Sequence, residues 1–381
     1  MKFFDIIGQW ANRYFSQPDA IYLMVVLVVA TVLLMTLGGA LAPVLTGLVI
    51  AFLLQGVVGR LQQWRVPRLV AVYSAFLLFV GGVLMLFLLV VPLLWQQLQS
   101  LLQVLPSLAQ RLQEGVNDLA QRFPEYVTQE QISKLLEQIS SELANAGGVV
   151  LETAFSQVFS LVGLLLYLVL VPISVFFLLK DKDQLLDSLR TVLPAERPMI
   201  SAVAAEMNTQ LGNYVRGKAL EILIVGCVTF AAFLILGLNY AALLSVIVGF
   251  SVLIPFVGAA VVTLPVFAVA VLQFGWSGDL ALIMAVYGIL QFLDGNVLVP
   301  LLFSEANDLH PVAIIVAILA FGSLWGIWGV FFAIPLATLI KAIFNAWPRS
   351  LAVSYTHLTL PTRQLEYDTG VALSVKRGGG G

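Results

Sequence analysis

The chain alternates long apolar runs with short polar stretches. Residues 1–20 place Phe3, Phe4, Ile7, Trp10, Tyr14 and Phe15 at roughly helical spacing. That pattern predicts an interfacial helix with an aromatic face at the headgroup layer, ended by Pro18. Runs 21–37 and 40–58 meet at Gly38-Gly39, with Pro43 just beyond. They are expected to form a tight pair of spans. Residues 69–95 supply a third span, 149–179 a fourth with Pro172 as a kink, and 219–237 a fifth carrying Glu221. A further span at 279–303 carries Asp294. Each approaches or exceeds the roughly 20 apolar residues that cross a bilayer.

Two runs are too long for one straight crossing. Residues 241–273 carry no charge and are interrupted at Ile254-Pro255-Phe256-Val257-Gly258 and at Pro265. Residues 311–346 are interrupted at Gly322, Gly326, Gly329 and Pro335. As one helix the first would be about 50 Å long, against a hydrocarbon core of roughly 30 Å. Each is either a broken, tilted span or a re-entrant hairpin. With single spans the chain crosses eight times; with hairpins it crosses six times and carries two re-entrant loops. A shift of 70 positions lays Glu221 on Gln291, Asn239-Tyr240 on Leu309-His310, and Pro265 on Pro335. An ordinary span followed by a broken one, repeated, points to an internal repeat with the transport site at its interface.

Between spans three and four the pattern changes to a heptad. Leu94, Leu98, Leu101, Leu105, Leu108, Leu112 and Leu119 form a seam with Pro106 inside it. Such a seam packs helices together, within or between subunits. Thr128 to Gln131 has the capping-box form and opens a second amphipathic helix that ends at Gly147-Gly148.

Composition fits this reading: 60% of the chain is apolar and 10% charged, with a mean hydropathy of +0.99. Globular domains carry about 25% charged residues. The fold class is therefore an all-α polytopic membrane protein with about eight hydrophobic segments, some broken or re-entrant. A small extracytoplasmic helical insert completes it. Five parts are expected: 1–95, the insert 96–148, 149–218, a transmembrane core 219–348, and a tail 349–381. The tail reads like translated adapter sequence and stands outside the fold.

Charge placement orients the chain. Arg60, Arg65 and Arg68 follow the second run with no acid among them, which puts that loop and both termini in the cytoplasm. Segment 96–148 has three basic residues against six acids and is expected outside. Segment 180–218 is expected inside, with an amphipathic helix near 196–212. Arg216 and Lys218 then snorkel to the inner surface. The net charge of −2 gives no basis for nucleic acid binding. Cys227 is the single cysteine, so no disulfide or cysteine metal site arises within one chain. No phosphate loop, nucleophile constellation or paired catalytic acids stand out. The chain is read as neither an enzyme nor a cofactor or metal protein.

Asp294 is the strongest candidate for chemistry, because a carboxylate at membrane depth costs a few kcal/mol and tends to face a cavity, a partner or a proton path. Gln291 and Asn296 are expected beside it, or in interhelical hydrogen bonds. Glu221 lies three residues after Lys218, so an ion pair on one helix face competes with a proton-carrying role. His310 before Pro311 reads as a helix start, with a titrating gate as its functional alternative. Pro255, Gly258, Pro300 and Pro335 are expected to break helices and direct backbone carbonyls at a substrate or ion.

One ordered set of residues carries a resemblance. It runs Tyr214-Val-Arg-Gly217, Leu236-Gly-Leu238, Ile254-Pro-Phe-Val-Gly258, Asp294-Gly-Asn296 with Pro300, and Leu309-His-Pro311. Gly326, Gly329 and Ile334-Pro335 complete it. The set resembles the autoinducer-2 exporter family of permeases, in its PerM-like group, over about residues 10–348. Asp294 stands where that family often has Glu, and Lys218 where Gln is expected. The resemblance implies a bacterial inner-membrane transporter, homo-oligomeric and pentameric, that exports a small polar metabolite by an elevator-like movement. Sodium- or lithium-proton antiport is the alternative it also implies. A membrane scaffold acting through the insert is a third reading.

Overall fold

The computed structural model describes residues 18–104, 107–108, 111–112, 161–194, 197–255, 257–303 and 309–347. All regular elements among these residues are helical, and no strand occurs among them. Five helices are long and apolar enough to cross a membrane: Pro18–Gln63, Arg68–Val104, Pro198–Ile235, Val257–Phe274 and Gly278–Phe303. The interfacial helix expected at 1–20 and most of the 96–148 insert lie outside the described residues, as does the tail.

Helix α1 spans Pro18–Gln63 without interruption. The expected pair of spans meeting at Gly38-Gly39 is not formed. Neither glycine has a positive φ, so the chain does not turn there. A helical glycine costs only about 1 kcal/mol relative to alanine. An opened turn among lipid tails would strand backbone N–H and C=O groups at several kcal/mol each. With one rod in place of two, the charge argument that put the N-terminus on the side of Arg60 to Arg68 loses its basis.

Helix α2 (Arg68–Met85), a π-helical turn (Leu86–Val90) and α3 (Val91–Val104) form a second rod. The turn precedes Pro92, whose ring would clash with the carbonyl four residues back in a regular helix. Helix α4 (Leu161–Lys180) keeps Pro172 inside it and packs on α1, where Gly47 meets the Ser174 side chain. Ala51, Val58, Ala71, Val72, Val171 and Val175 seal α1, α2 and α4 together. Helix α5 (Lys182–Val192) is exposed, and Arg68 reaches it through an ion pair with Asp183.

Helix α6 (Pro198–Ile235) is one 38-residue rod, about 57 Å long. It joins what the sequence reads as a separate cytoplasmic amphipathic helix and a fifth span. Helix α7 (Ala241–Ser251), the break at 252–255 and α8 (Val257–Phe274) form a hairpin. At 11 residues α7 is too short to cross. The hairpin's ends come back together: the Asn239 backbone N–H donates to Gln273 Oε1 at 2.7 Å, and Gln273 Nε2 donates to the Gly237 carbonyl at 2.7 Å. The 241–273 run therefore folds back on itself as a helical hairpin and not as one continuous helix. Gly258 closes its tip; a Cβ there would overlap the Ser251 carbonyl.

Helix α9 (Gly278–Leu293), a second π-turn (Asp294–Leu298) and α10 (Val299–Phe303) follow. This turn also ends two residues before a proline, Pro300. Helix α11 (Pro311–Phe331) reverses at Gly326 (φ 60°, ψ −137°), which brings Gly329 against the Phe321 carbonyl. Helix α12 (Ala333–Ala346) then leads away.

α7 and α12 both run antiparallel to α6, on opposite halves of it. Gly249 lies against Ile222 and Gly226, and the Lys218 ammonium reaches Val252. Ile334 packs with Tyr214 and Val215, whereas Ala342 packs with Met199 and Val203. The two chain breaks therefore approach the middle of α6 from opposite ends, the arrangement inverted repeats produce. Leu94, Leu98, Leu101, Leu108 and Leu112 of the heptad seam pack within the subunit, on the α7–α8 hairpin.

Candidate functional site

On a helix, spacings of four and three put side chains on one face. Tyr214, Lys218, Glu221 and Val225 follow that spacing on α6, and all four are buried. Tyr287 and Gln291 on α9 and Asp294 at the start of the following π-turn continue it. These faces meet the tip of the α7–α8 hairpin around a cavity of about 450 Å³. Its walls include Ser251, Val252 and Pro255 from the hairpin, Phe303 from α10, Ile314 from α11 and Ile334 from α12.

Lys218 is the central polar group and is only 5% exposed. Its Nζ donates to the Val252 carbonyl at 2.8 Å. That carbonyl is available because α7 ends one residue earlier. The same Nζ lies 2.7 Å from Glu221 Oε2 in a buried ion pair. It also stands 5.3 Å from the centroid of the Phe303 ring. Phe303 in turn fills the space over Gly217, where a Cβ would collide with its ring. The Tyr214 hydroxyl donates to the Phe331 carbonyl at 2.8 Å and ties α6 to the second chain break. Gln291 Nε2 donates to the Tyr287 hydroxyl at 3.1 Å. Asp294 Oδ1 is buried and has no hydrogen-bond partner.

The cavity thus holds one ammonium and two carboxylates. The donors in view are largely spent on backbone and neighbouring groups, whereas an acceptor oxygen at Asp294 is open. Such a pocket takes a proton, a hydroxyl or another hydrogen-bond donor. No group of three or more metal-ligating side chains occurs among the described residues.

Of the residues singled out from sequence, Asp294, Gln291, Glu221 and Pro255 line the cavity. Gly258 shapes the hairpin tip instead. Asn296 is exposed and donates back to the Phe292 carbonyl at 2.9 Å; its place is not the cavity. Two residues after Asp294, it lies on nearly the opposite side of the helix. Pro300 is exposed and acts through the π-turn that begins at Asp294. His310 is exposed and caps α11, its Nδ1 accepting from the Val312 N–H at 3.3 Å. Pro335 is buried within the first turn of α12, where no helical hydrogen bond is lost. It does not break that helix.

Lys218 corrects the sequence reading most. Its side chain does not snorkel to the surface but points into the protein. The i, i+3 spacing to Glu221 carried the signal. Tyr214, Ser251 and Phe303 are further lining residues that spacing alone did not single out as site residues.

Comparison with known proteins agrees with this architecture. The family model described as AI-2E family transporter matches residues 21–349. Permease PerM of Escherichia coli (strain K12) is 46% identical over 344 residues, covering 90% of this chain and 98% of its own length. Transport protein YueF of Bacillus subtilis (strain 168) is 30% identical over 308 residues, 79% of this chain and 82% of that protein. AI-2 transport protein TqsA of Escherichia coli (strain K12) is 23% identical over 328 residues, 83% of this chain and 89% of its own. Several of its helices are long and apolar enough to cross a membrane, and the chain belongs to the AI-2E transporter family.

Proposed function

We propose that the chain is a secondary exporter of a small polar metabolite, with the cavity beside Asp294 as its binding site. The observation that carries this reading is the Asp294 Oδ1 atom, buried and unpartnered in a cavity walled by the helix break after α7. A lone ionised carboxylate at membrane depth is costly, so that oxygen is satisfied by a proton or by a donor on the substrate. Export coupled to proton entry uses both in turn: the substrate's hydroxyl or amine donor occupies Asp294 outward, and a proton occupies it on return. The relative TqsA, named an AI-2 transport protein, supports a metabolite of the autoinducer-2 type. The two chain breaks meeting near mid-α6 suit an elevator-like movement of the hairpins against α1, α2 and α4. We place the protein in a bacterial inner membrane as a homo-oligomer, a pentamer by family resemblance.

Sodium- or lithium-proton antiport fits the cavity less well. The carboxylate best placed to hold a cation, Glu221, already faces the Lys218 ammonium. A scaffold reading gives no reason for three ionisable groups inside the spans. Sealed inverted vesicles loaded with an imposed proton gradient test the proposal. Uptake of the labelled metabolite should rise with the gradient and collapse with a protonophore. Equal uptake with and without the gradient would refute the coupling.

A further inference from the structure

The surroundings of the Lys218 ammonium are those of a bound alkali cation. A backbone carbonyl at a helix break, Val252, lies 2.8 Å away, and a carboxylate oxygen of Glu221 lies 2.7 Å away. The face of an aromatic ring, Phe303, stands at 5.3 Å. Broken-helix carbonyls together with a carboxylate are the usual donors for sodium at membrane depth, and aromatic faces attract cations generally. The Lys218 and Glu221 side chains are 6% and 2% exposed, so the ammonium is held inside the protein. The donor set has oxygen ligands and no sulfur or imidazole, which suits a hard cation.

We propose that Lys218 is a tethered cation filling a monovalent-cation site formed by the Val252 carbonyl and the Glu221 carboxylate, and that removing its ammonium opens this site to free sodium. The inference makes Lys218 a specificity-determining residue: it frees the cavity from any need for sodium and leaves Asp294 as the group that takes a proton or donor. It shares the cavity with the proposed transport site but requires only that cations bind there. Hydrogen bonding explains the choice of the ammonium over a mobile ion. Lysine offers three donors at a fixed position and costs no binding event.

The test is thermal unfolding of the purified full-length protein in detergent, in sodium chloride against choline chloride at equal ionic strength. Wild type is expected to unfold at the same temperature in both salts. Lys218→Ala, which leaves room for a cation and water, is expected to unfold about 2 °C or more higher in saturating sodium. The double variant Lys218→Ala with Glu221→Gln is expected to lose that difference. If Lys218→Ala does not yield folded protein in choline, purification in sodium is expected to restore a monodisperse species. Equal melting or equal yield of Lys218→Ala in the two salts overturns the proposal. A wild-type shift as large as the variant's does so too, as does a sodium effect that survives in the double variant. No substrate or gradient enters the measurement. A failed transport assay therefore leaves this result standing, and a negative result here leaves the export reading intact.

Discussion

The Lys218 Nζ atom donates to the Val252 carbonyl oxygen at 2.8 Å, joining the middle of α6 to the tip of the α7–α8 hairpin. The same ammonium forms a buried ion pair with the Glu221 carboxylate three residues on along α6. Breaking such a pair by removing one partner leaves an uncompensated charge, which costs about 3–5 kcal/mol. Glu221→Ala is therefore expected to lower the thermal unfolding temperature sharply in any salt. Lys218→Met combined with Glu221→Leu is expected to recover most of the loss, since hydrophobic replacement of a whole buried pair is often neutral. A double variant as unstable as the single one would show that the pair does not act as a unit.

Two glycines are required by close approach, and two others are not. A Cβ on Gly258 or Gly329 would overlap the backbone carbonyl of Ser251 or Phe321. Neither carbonyl can retreat without moving a helix end. Gly258→Ala and Gly329→Ala are each expected to destabilise by about 1–3 kcal/mol or more. Gly38 and Gly39 have nothing within 4 Å of an added Cβ. In an uninterrupted helix Gly38→Ala should be neutral or stabilising by up to about 1 kcal/mol. If α1 turned at these residues, the same substitution would destabilise, so unfolding of Gly38→Ala also checks the continuity of α1.

Tyr214 holds the second chain break by a hydrogen bond to the Phe331 carbonyl. Tyr214→Phe keeps the ring contacts with Phe303 and Phe331 and loses only the hydroxyl. The expected cost is about 0.5–1.5 kcal/mol, read as a modest fall in unfolding temperature. Limited proteolysis near Gly326 should become faster, because the loop loses its tie to α6. An unchanged cleavage rate would place the anchoring of that loop elsewhere.

The Arg68–Asp183 pair is a contrasting case on the surface. The hydrogen bond from Arg68 holds the Asp183 carboxyl below the usual carboxylate range. With the folded value depressed, the pair's contribution is present above the unfolded pKa. It is lost as pH falls through the folded one. Both side chains are largely exposed, at 45% and 63%, so solvent and salt screen the attraction. Asp183→Asn is expected to unfold at the wild-type temperature at neutral pH and 0.15 M salt.

Much of the site was legible in the chain because membranes restrict what a polar residue can do. Asp294 inside an apolar run, the Lys218–Glu221 spacing, and the Pro255–Gly258 interruption all mark points where the structure converges. The seam from Leu94 to Leu112 was legible as packing, and its described part does pack. What sequence misjudged depends on tertiary surroundings. A lysine near a span end snorkels unless a carbonyl and a carboxylate wait inside; the carbonyl came from 34 residues away, and the carboxylate was the Glu221 that its spacing had already paired with Lys218. Gly38-Gly39 looks like a turn by type, yet lipid favours the uninterrupted helix. Asn296 was grouped with Asp294 by proximity in sequence, although a two-residue step places it on the other side of the helix.

The most direct test of the account is transport by Asp294→Asn in inverted vesicles, compared with wild type across pH with and without a proton gradient. The substitution keeps the size of the side chain and removes its charge. The account predicts that Asp294→Asn loses gradient-driven export of the metabolite at every pH while retaining wild-type expression and thermal stability. Gradient-driven export by Asp294→Asn at the wild-type rate and pH dependence would contradict it.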